Sequence, residues 1–232
     1  MPQPDTQKSC PLANAQHHAR GNEAFHATEV TMFLLAQNAL RRTLQILAHQ
    51  TAIRMGTGIV LITAVILYFM GQPLWCSCGS WRPWSWDIWS PHNSQHILDP
   101  YTFTHVLHGV LLCGILYWLP RSVPETIRFL VAVVLEAGWE ILENSPVIIE
   151  RYRAATISKD YFGDSVINSA GDLIACIFGY VLARRMGFRR SAVFFLLTEI
   201  SLLLTIRDSL FLNVLMLVWP LEVVKQWQIG AG

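Results

Sequence analysis

The feature that most constrains the fold of this chain is a series of long apolar segments, beginning with Met55 to Trp75, which carries no charged residue. A helix needs about 20 apolar residues, at a rise of about 1.5 Å each, to cross the hydrocarbon core of a bilayer. Four more segments follow, at about Phe103 to Leu119, Ile127 to Leu142, Val166 to Ala183 and Ala192 to Trp219. The sequence therefore predicts an all-α membrane protein, a bundle of about five transmembrane helices.

The last of these segments is too long for one upright span, and Arg207 and Asp208 interrupt it. A hydrophobic stretch that exceeds the bilayer thickness has to tilt, kink or leave the membrane. We therefore expect the fifth helix either to be tilted or to break near Arg207 and continue along the membrane interface.

The first part of the chain differs from the rest. It is polar at first, and then Val30, Phe33, Leu34, Leu40 and Leu44 recur near helical spacing, which predicts a short amphipathic N-terminal helix. This helix belongs either to a cytoplasmic extension or to upstream sequence translated from a misplaced start codon. No secretory signal fits, because the first long apolar run begins only after residue 55. We expect a cytoplasmic N-terminal extension, 1–54, and a multi-pass membrane domain, 55–232.

The charged residues indicate both the partners and the orientation of the chain. The net charge is only +1 and the basic residues form no continuous patch, so nucleic acid is excluded as a partner and the lipid bilayer is expected. Cytoplasmic loops of membrane proteins carry an excess of Lys and Arg. One set of alternate loops holds Lys8, Arg20, Arg41, Arg42, Arg54, Arg121, Arg128, Arg184, Arg185, Arg189 and Arg190, and the other holds Arg82, Arg151, Arg153, Lys159 and Lys225. We predict a bacterial inner (plasma) membrane protein with a cytoplasmic N-terminus and an external C-terminus.

A polar stretch from Asp160 to Asp172 leads directly into the fourth apolar segment. In it Asp164, Asn168 and Asp172 follow one another at i, i+4 steps, so a helix would carry them as one stripe. Each charged side chain inside a bilayer costs at least about 2.5 kcal/mol on insertion scales. Such a stripe is therefore expected to face a cavity that is lined by protein or filled with water.

Two other apolar segments carry ionisable residues at a matching depth. His105 and His108 lie one turn apart on the second predicted helix, and Glu136, Glu140 and Glu143 share a narrow arc of the third. The predicted topology places these groups and the stripe roughly 12 Å or less below the external surface, at about 1.5 Å per residue. We predict one externally open site, with the catalytic residues His105, His108, Glu136, Glu140, Asp164, Asn168 and Asp172.

So many carboxylates cannot all be ionised together unless cations balance them. Either some of the carboxylates have raised pKa values, or a histidine, an arginine or a bound metal supplies positive charge among them. Histidine and carboxylate ligands suit zinc, iron or manganese, but no His-Glu-x-x-His signature is present. A divalent metal is therefore one candidate cofactor among several alternatives, with His105, His108, Glu140 and Asp172 as the candidate ligands.

Substrate-binding residues are predicted on the external side. Arg151 and Arg153 could clamp a phosphate or carboxylate head group, although a basic loop is the ordinary interpretation of such a pair. His96 and Arg207 are added to them as candidates. His92 and His96 lie at i, i+4 in the external loop, and each of them alone is most often a solvated histidine.

The five cysteines do not form a disulfide framework, because Cys113 and Cys176 lie inside apolar segments. Cys76 and Cys78 face the oxidising side in the predicted topology. A pair one residue apart closes a tight and strained ring. It therefore favours a labile redox pair or a metal contact over a structural disulfide.

Taken together, these motifs resemble those of a family of bacterial multi-pass inner-membrane proteins of unknown function, catalogued with a UPF-type name. The matching elements are Trp75-Cys-x-Cys-Gly, Ser94-Gln-His, Asp99-x-Tyr-Thr-x-x-His-x-x-His-Gly, Glu136-x-x-Trp-Glu-x-x-Glu-Asn, Arg151-Tyr-Arg, Asp160-Tyr-x-Gly-Asp-Ser-x-x-Asn-Ser-x-Gly-Asp and Arg207-Asp-x-Leu-x-Leu-Asn. The resemblance covers residues 75–228 and implies a multi-pass location without a reaction. More loosely, the order of the histidines, the glutamates and the Gly-Asp-Ser segment is similar to the layout of VanZ-like membrane proteins.

Three functions are compatible with these sequence features. The first is an enzyme that acts on a lipid or lipid-linked envelope substrate, with Glu140 or His108 as general base and Asp172 or Glu136 orienting it or holding a metal. The second is a structural or assembly protein whose polar groups only bind helices together. The third is a small proton-coupled transporter, which the lack of an internal repeat disfavours.

Overall fold

The computed structural model describes residues 11–156, 158 and 160–230, with side chains at residue 35 and from residue 37 onward within those ranges. This part of the chain forms eight α-helices and contains no strand, apart from an isolated bridge between Trp84 and Leu98. The helices are α1 (Pro11–Phe69), α2 (Thr102–Tyr117), α3 (Glu125–Glu143), α4 (Pro146–Ala155), α5 (Val166–Met186), α6 (Phe188–Ile206), α7 (Leu210–Val218) and α8 (Glu222–Ile229). The predicted all-α fold is confirmed.

The chain divides into two compact units, Met1–Gln50 and Thr51–Gly232. The predicted short N-terminal helix is wrong in its length, because α1 continues without a break from Pro11 to Phe69. No proline follows Pro11 within this range, so nothing removes a backbone donor from the helix interior. The proposed division into a cytoplasmic extension, 1–54, and a membrane domain, 55–232, stays a prediction.

Two described helical stretches are long and apolar enough to cross a membrane, namely Gln37–Phe69 within α1 and all of α5. The pair α6 and α7, which bends by 74°, counts as a third if it forms one broken span. In contrast, α2 has 16 residues and is about 24 Å long, which is less than the roughly 30 Å of a bilayer core. These helices are compatible with a membrane protein, and the bundle of five spans stays a prediction.

The predicted break near Arg207 is confirmed. Helix α6 ends at Ile206, and Arg207 has a left-handed backbone conformation with φ of 53°. The carboxylate of Glu199 then accepts hydrogen bonds from the backbone N–H groups of Leu210 (2.9 Å) and Phe211 (3.1 Å). These are orphan donors of the first turn of α7, and an anion at a helix N-terminus also interacts favourably with the helix dipole.

Two glycines bring α2 and α5 into direct backbone contact. A Cβ atom on Gly109 would lie 2.0 Å from the carbonyl oxygen of Cys176, and one on Gly179 would lie 2.0 Å from that of Val106. Only a residue without a Cβ atom fits at either position. This close crossing fixes α2 against the middle of α5 and so helps to position the polar groups that both helices carry.

The start of α5 corrects the predicted polar stripe. Ser165 caps the helix, since its side chain accepts a hydrogen bond from the backbone N–H of Asn168 (3.2 Å). The helix therefore begins at Val166, and Asp164 lies in the segment before it. Asn168 and Asp172 are on the helix, but Asp164 does not belong to the same stripe.

Candidate functional site

The centre of the polar cluster is Glu136 of α3, which contacts both histidines of α2. Its Oε1 lies 2.7 Å from His105 Nδ1 and 2.9 Å from His108 Nδ1, and its Oε2 lies 3.1 Å from His108 Nδ1. These distances let each imidazole donate its Nδ1–H to the carboxylate. The helical spacing produces this arrangement, because positions three apart on α2 face the same side of the helix.

Two further carboxylates surround His105. Glu140 Oε1 lies 3.3 Å from His105 Nδ1, and Asp172 Oδ2 of α5 lies 3.9 Å from His105 Nε2. Glu140 is completely buried and Asp172 is 3% exposed. Within the described residues, both oxygens of Glu140 and Oδ1 of Asp172 are buried without a hydrogen-bond partner. The cluster therefore holds more carboxylate oxygen than it holds donors, and such buried groups are costly without a proton or a cation.

A cavity of about 50 Å³ adjoins this cluster. A single water needs roughly 10–15 Å³ of such space, so a few water molecules fit. The helices contribute His105, His108, Trp139, Glu143 and Asp172 to its wall, and the loop before α2 contributes Asn93 and Ser94. Because Glu136 and Glu140 do not line the cavity, the histidines are the groups that stand between these two carboxylates and the cavity.

Asp164 forms another part of the cavity wall, at the end of the segment that precedes α5. Its carboxylate accepts hydrogen bonds from the Asn144 side chain (3.0 Å) and the Tyr161 hydroxyl (3.0 Å). Burial raises the pKa of Asp164 to about 6, and these two hydrogen bonds act in the opposite direction. Burial likewise raises the pKa of the Tyr161 hydroxyl, so Tyr161 donates its hydrogen bond in the neutral form.

Asn168 has a different position from the other predicted catalytic residues. Its side-chain amide donates a hydrogen bond to the backbone carbonyl of His96 (2.7 Å), and the residue does not line the cavity. The contact fastens the loop before α2 to the first turn of α5.

The four predicted substrate-binding residues do not line the cavity. Arg151 donates to the carbonyl of Leu217 (2.7 Å) at the end of α7, and Arg153 donates to the carbonyl of Tyr161 (2.6 Å). Arg207 donates to the carbonyl of Trp227 (3.2 Å), and His96 Nε2 lies 3.8 Å from Cys78 Sγ. Each side chain has a local contact, and substrate binding by these residues stays a prediction.

The tyrosines near the cavity were missed as site residues. The Tyr152 hydroxyl donates to Glu143 Oε1 (2.8 Å) and lies 2.9 Å from Asn213 Oδ1, and Tyr161 donates to Asp164. Both tyrosines, together with Tyr101, form part of the cavity wall. The signal was present in the sequence, because Arg151-Tyr-Arg and Asp160-Tyr are among the motifs on which the family resemblance rests.

Two sets of residues in the cluster have ligand atoms close enough to share a metal ion. The first set is His105, His108 and Glu136, and the second is His105, Glu140 and Glu143, each with ligand atoms within 4.8 Å of one another. Two imidazoles and a carboxylate suit zinc, iron or manganese. Asp172, one of the candidate metal ligands from the sequence, belongs to neither set.

Comparison with known proteins identifies relatives over most of the chain. Residues 67–230 match a family model described as "Protein of unknown function (DUF2585)". A UPF0314 protein of Rhizobium meliloti (strain 1021) is 45% identical over 173 residues, which cover 75% of this chain and 88% of that protein. A UPF0314 protein of Brucella anthropi is 41% identical over 186 residues, which cover 78% of this chain and 94% of that protein.

A third relative, a UPF0314 protein of Sphingopyxis alaskensis, is 43% identical over 173 residues, which cover 75% of this chain and 92% of that protein. No solved structure matches the chain significantly. The predicted membership of a bacterial family of unknown function is confirmed, and the chain belongs to the DUF2585 family.

Proposed function

We propose that the protein is a membrane enzyme in which His108 is the general base, oriented by Glu136, for a reaction at the polar end of a lipid or lipid-linked envelope substrate. One observation carries this proposal. His108 lines the cavity, and its Nδ1 is held by both oxygens of the buried Glu136.

A carboxylate that accepts the Nδ1–H of a histidine fixes the tautomer of the ring and stabilises the imidazolium. This pairing leaves Nε2 of His108 as the nitrogen that can take a proton from a water or a substrate hydroxyl. Glu140, the other candidate base, is completely buried and does not line the cavity. The geometry thus favours His108 as the base and gives Glu136 and Glu140 positioning roles.

The dimensions of the cavity support a small nucleophile. Its volume of about 50 Å³ admits a few waters but no large soluble substrate, because binding pockets for drug-sized molecules measure about 300–1,000 Å³. Only the reacting end of a larger molecule would therefore enter beside His108. A lipid or lipid-linked substrate meets this size limit, because its apolar part would lie along the helices and only its head group would reach the cavity.

The location is part of the same proposal. We place the protein in the bacterial inner membrane with the cavity open to the external side, on the distribution of Lys and Arg among the loops. Structural packing is a weaker account of the cluster, because interhelical hydrogen bonds contribute only about 0.6 kcal/mol on average and the buried oxygens of Glu140 make none with the described residues.

A metal-dependent version of the reaction is the second candidate. The ligand atoms of His105, His108 and Glu136 lie within 4.8 Å of one another, which would let a divalent ion activate water at the same place. Metal that is retained by purified wild-type protein and lost from Glu136→Gln would favour this version over the metal-free base.

The composition of the envelope tests the proposal. A strain that lacks the gene is expected to accumulate a lipid or lipid-linked species, and wild-type protein is expected to restore the normal profile by mass spectrometry. His108→Ala should reach the membrane at the wild-type level without restoring the profile, because the base is gone. His49→Ala removes an exposed histidine of α1 and is the matched control, which should restore it. An unchanged profile in the deletion strain, or restoration by His108→Ala, would contradict the proposal.

A further inference from the structure

The loop between α1 and α2 contains a second cluster of chemically active side chains, outside the cavity. Cys76, Cys78, His92 and His96 each offer one ligand atom, and these four atoms lie within 4.8 Å of one another. We infer that these four residues form a zinc site that fixes the loop forming one wall of the cavity.

The distances match a tetrahedral Cys₂His₂ arrangement. Cys76 Sγ lies 3.3 Å from His92 Nδ1, and Cys78 Sγ lies 3.8 Å from His96 Nε2. Around a tetrahedral zinc, with Zn–S of about 2.3 Å and Zn–N of about 2.0–2.1 Å, sulfur and nitrogen are about 3.6 Å apart. Two thiolates with two imidazoles also form a ligand set that prefers zinc to harder ions such as magnesium or calcium.

The contacts of His96 hold its imidazole in the tautomer that can bind a metal through Nε2. His96 is buried, and its Nδ1 lies 2.6 Å from the carbonyl oxygen of Arg82. A carbonyl can only accept a hydrogen bond, so the proton of the neutral ring is on Nδ1 and the lone pair is on Nε2, the atom nearer to Cys78. Histidines that ligate metals are commonly held in this way by an outer hydrogen bond. The indole of Trp75 packs edge-to-face on the same ring, at a centroid distance of 5.6 Å.

The two sulfurs are surrounded in a similar manner. The backbone N–H of Cys78 donates to Cys76 Sγ, and that of Ser80 donates to Cys78 Sγ, both at 3.4 Å. Hydrogen bonds from the backbone to a cysteine sulfur stabilise the negative charge that a metal-bound thiolate carries. Both cysteines are free thiols. Cys76 is buried and Cys78 is exposed, so an ion can enter from the side of Cys78.

A metal site would stabilise a loop that has little regular structure of its own. Residues 76–100 contain neither a described helix nor a named strand, although ordinary loops without secondary structure rarely exceed about 12–15 residues. His92 and His96 lie on either side of Ser94, which has φ of 59°, a strained conformation for a residue with a side chain. The Ser94 carbonyl accepts a hydrogen bond from the backbone N–H of Ser165 (2.9 Å), and Ser94 itself lines the cavity. Zinc bound at the two histidines would therefore hold this wall in place.

Metal analysis of the full-length protein tests this inference. The protein is purified in detergent under reducing conditions, incubated with Zn²⁺, separated from free ion and analysed by mass spectrometry for retained zinc. Wild type should retain a zinc ion per chain that is lost in Cys78→Ser and in His92→Ala. Cys113→Ser is the matched control, because Cys113 lies on α2 away from the loop. It should retain the zinc, and so should Glu136→Gln, which affects only the cavity cluster.

Cobalt provides a readout on wild type that does not depend on the folding of a variant. Co²⁺ bound in place of zinc in the wild-type protein should give an intense thiolate-to-cobalt charge-transfer absorption, because two of the four proposed ligands are cysteines. Equal zinc in wild type and Cys78→Ser would overturn the inference. It would also be overturned if wild type held neither zinc nor cobalt while Cys76 and Cys78 reacted with an alkylating reagent as free thiols. None of these results depends on the identity of the enzyme substrate.

Discussion

Replacing Gly109 with alanine is expected to prevent the protein from accumulating in the membrane fraction in a folded form. The added Cβ atom would lie 2.0 Å from the carbonyl oxygen of Cys176 and 2.6 Å from the backbone nitrogen of Tyr180. Both contacts are with the backbone of α5, which cannot rotate away as a flexible side chain could. Ordinary overpacking costs about 1–3 kcal/mol, and a clash between two helix backbones should exceed this range. The amount of protein in the membrane fraction and its thermal unfolding in detergent measure the effect.

Gly114→Ala is the matched control for this experiment. Gly114 is also on α2, but a Cβ atom there meets nothing within 4 Å. Alanine is favoured over glycine in a helix by about 1 kcal/mol, so this variant should be at least as stable as wild type. A Gly109→Ala protein with the abundance and the melting temperature of wild type would show that α2 and α5 do not cross as closely as described.

Replacing Glu140 with glutamine should raise the stability of the protein and abolish its function. Glu140 is completely buried, and in the described part of the chain neither of its oxygens accepts a hydrogen bond. Glutamine keeps the shape of the side chain and removes a charge whose burial is costly. We expect a gain of about 1–3 kcal/mol, because burying an unpaired charge costs more than burying a neutral amide of the same shape. For a protein of this size, this gain corresponds to about 2–4 °C in melting temperature per kcal/mol.

The loss of function follows from the position of Glu140 beside His105. Its Oε1 lies 3.3 Å from His105 Nδ1, so the negative charge of this carboxylate acts directly on the pair of histidines, His105 and His108. Glu150→Gln is the control, since Glu150 is exposed on α4 and surface substitutions usually change stability by less than about 0.5 kcal/mol. A lower melting temperature for Glu140→Gln, together with full restoration of the envelope profile, would indicate that the cluster only holds the helices together.

The sequence predicted the residues at the centre of the cluster because helical periodicity groups them on one face of each helix. His105 and His108 are three residues apart, and Glu136 and Glu140 are four apart, so each pair shares one face of its helix wherever that helix packs. The close approach of α2 to α5 depended on glycines at 109 and 179. Their role is evident only when both helices are seen together, because small residues are common in apolar segments.

The positions of other residues depend on individual hydrogen bonds that the sequence does not show. Asp164 was predicted to belong to a helical stripe, but Ser165 caps α5 and Asp164 lies before the helix. The arginines at 151, 153 and 207 were predicted to bind substrate, and each donates to a backbone carbonyl instead of lining the cavity. Spacing in the sequence does not reveal such contacts, since the carbonyls involved are up to 66 residues away.

Only part of the cluster in the loop between α1 and α2 could be predicted from the sequence. Cys76 and His92 are separated by 16 residues without regular structure, so no periodicity predicts that they meet. The pair Cys76 and Cys78 indicated a metal contact or a redox pair from spacing alone. The path of the loop backbone in the structure was needed to show that His92 and His96 lie beside these two cysteines.

The most direct test of the central claim, that His108 is the base of an enzyme, is chemical rescue with imidazole. Membranes of the deletion strain provide the accumulated species as substrate, and its consumption by purified protein is followed over time. General base catalysis contributes about 10²–10⁴-fold to a rate, so His108→Gly should be slower than wild type by a factor in this range. Imidazole added to His108→Gly should restore part of the rate, because it can occupy the space of the missing ring beside Glu136. A His108→Gly protein that consumes the species at the wild-type rate would contradict the account.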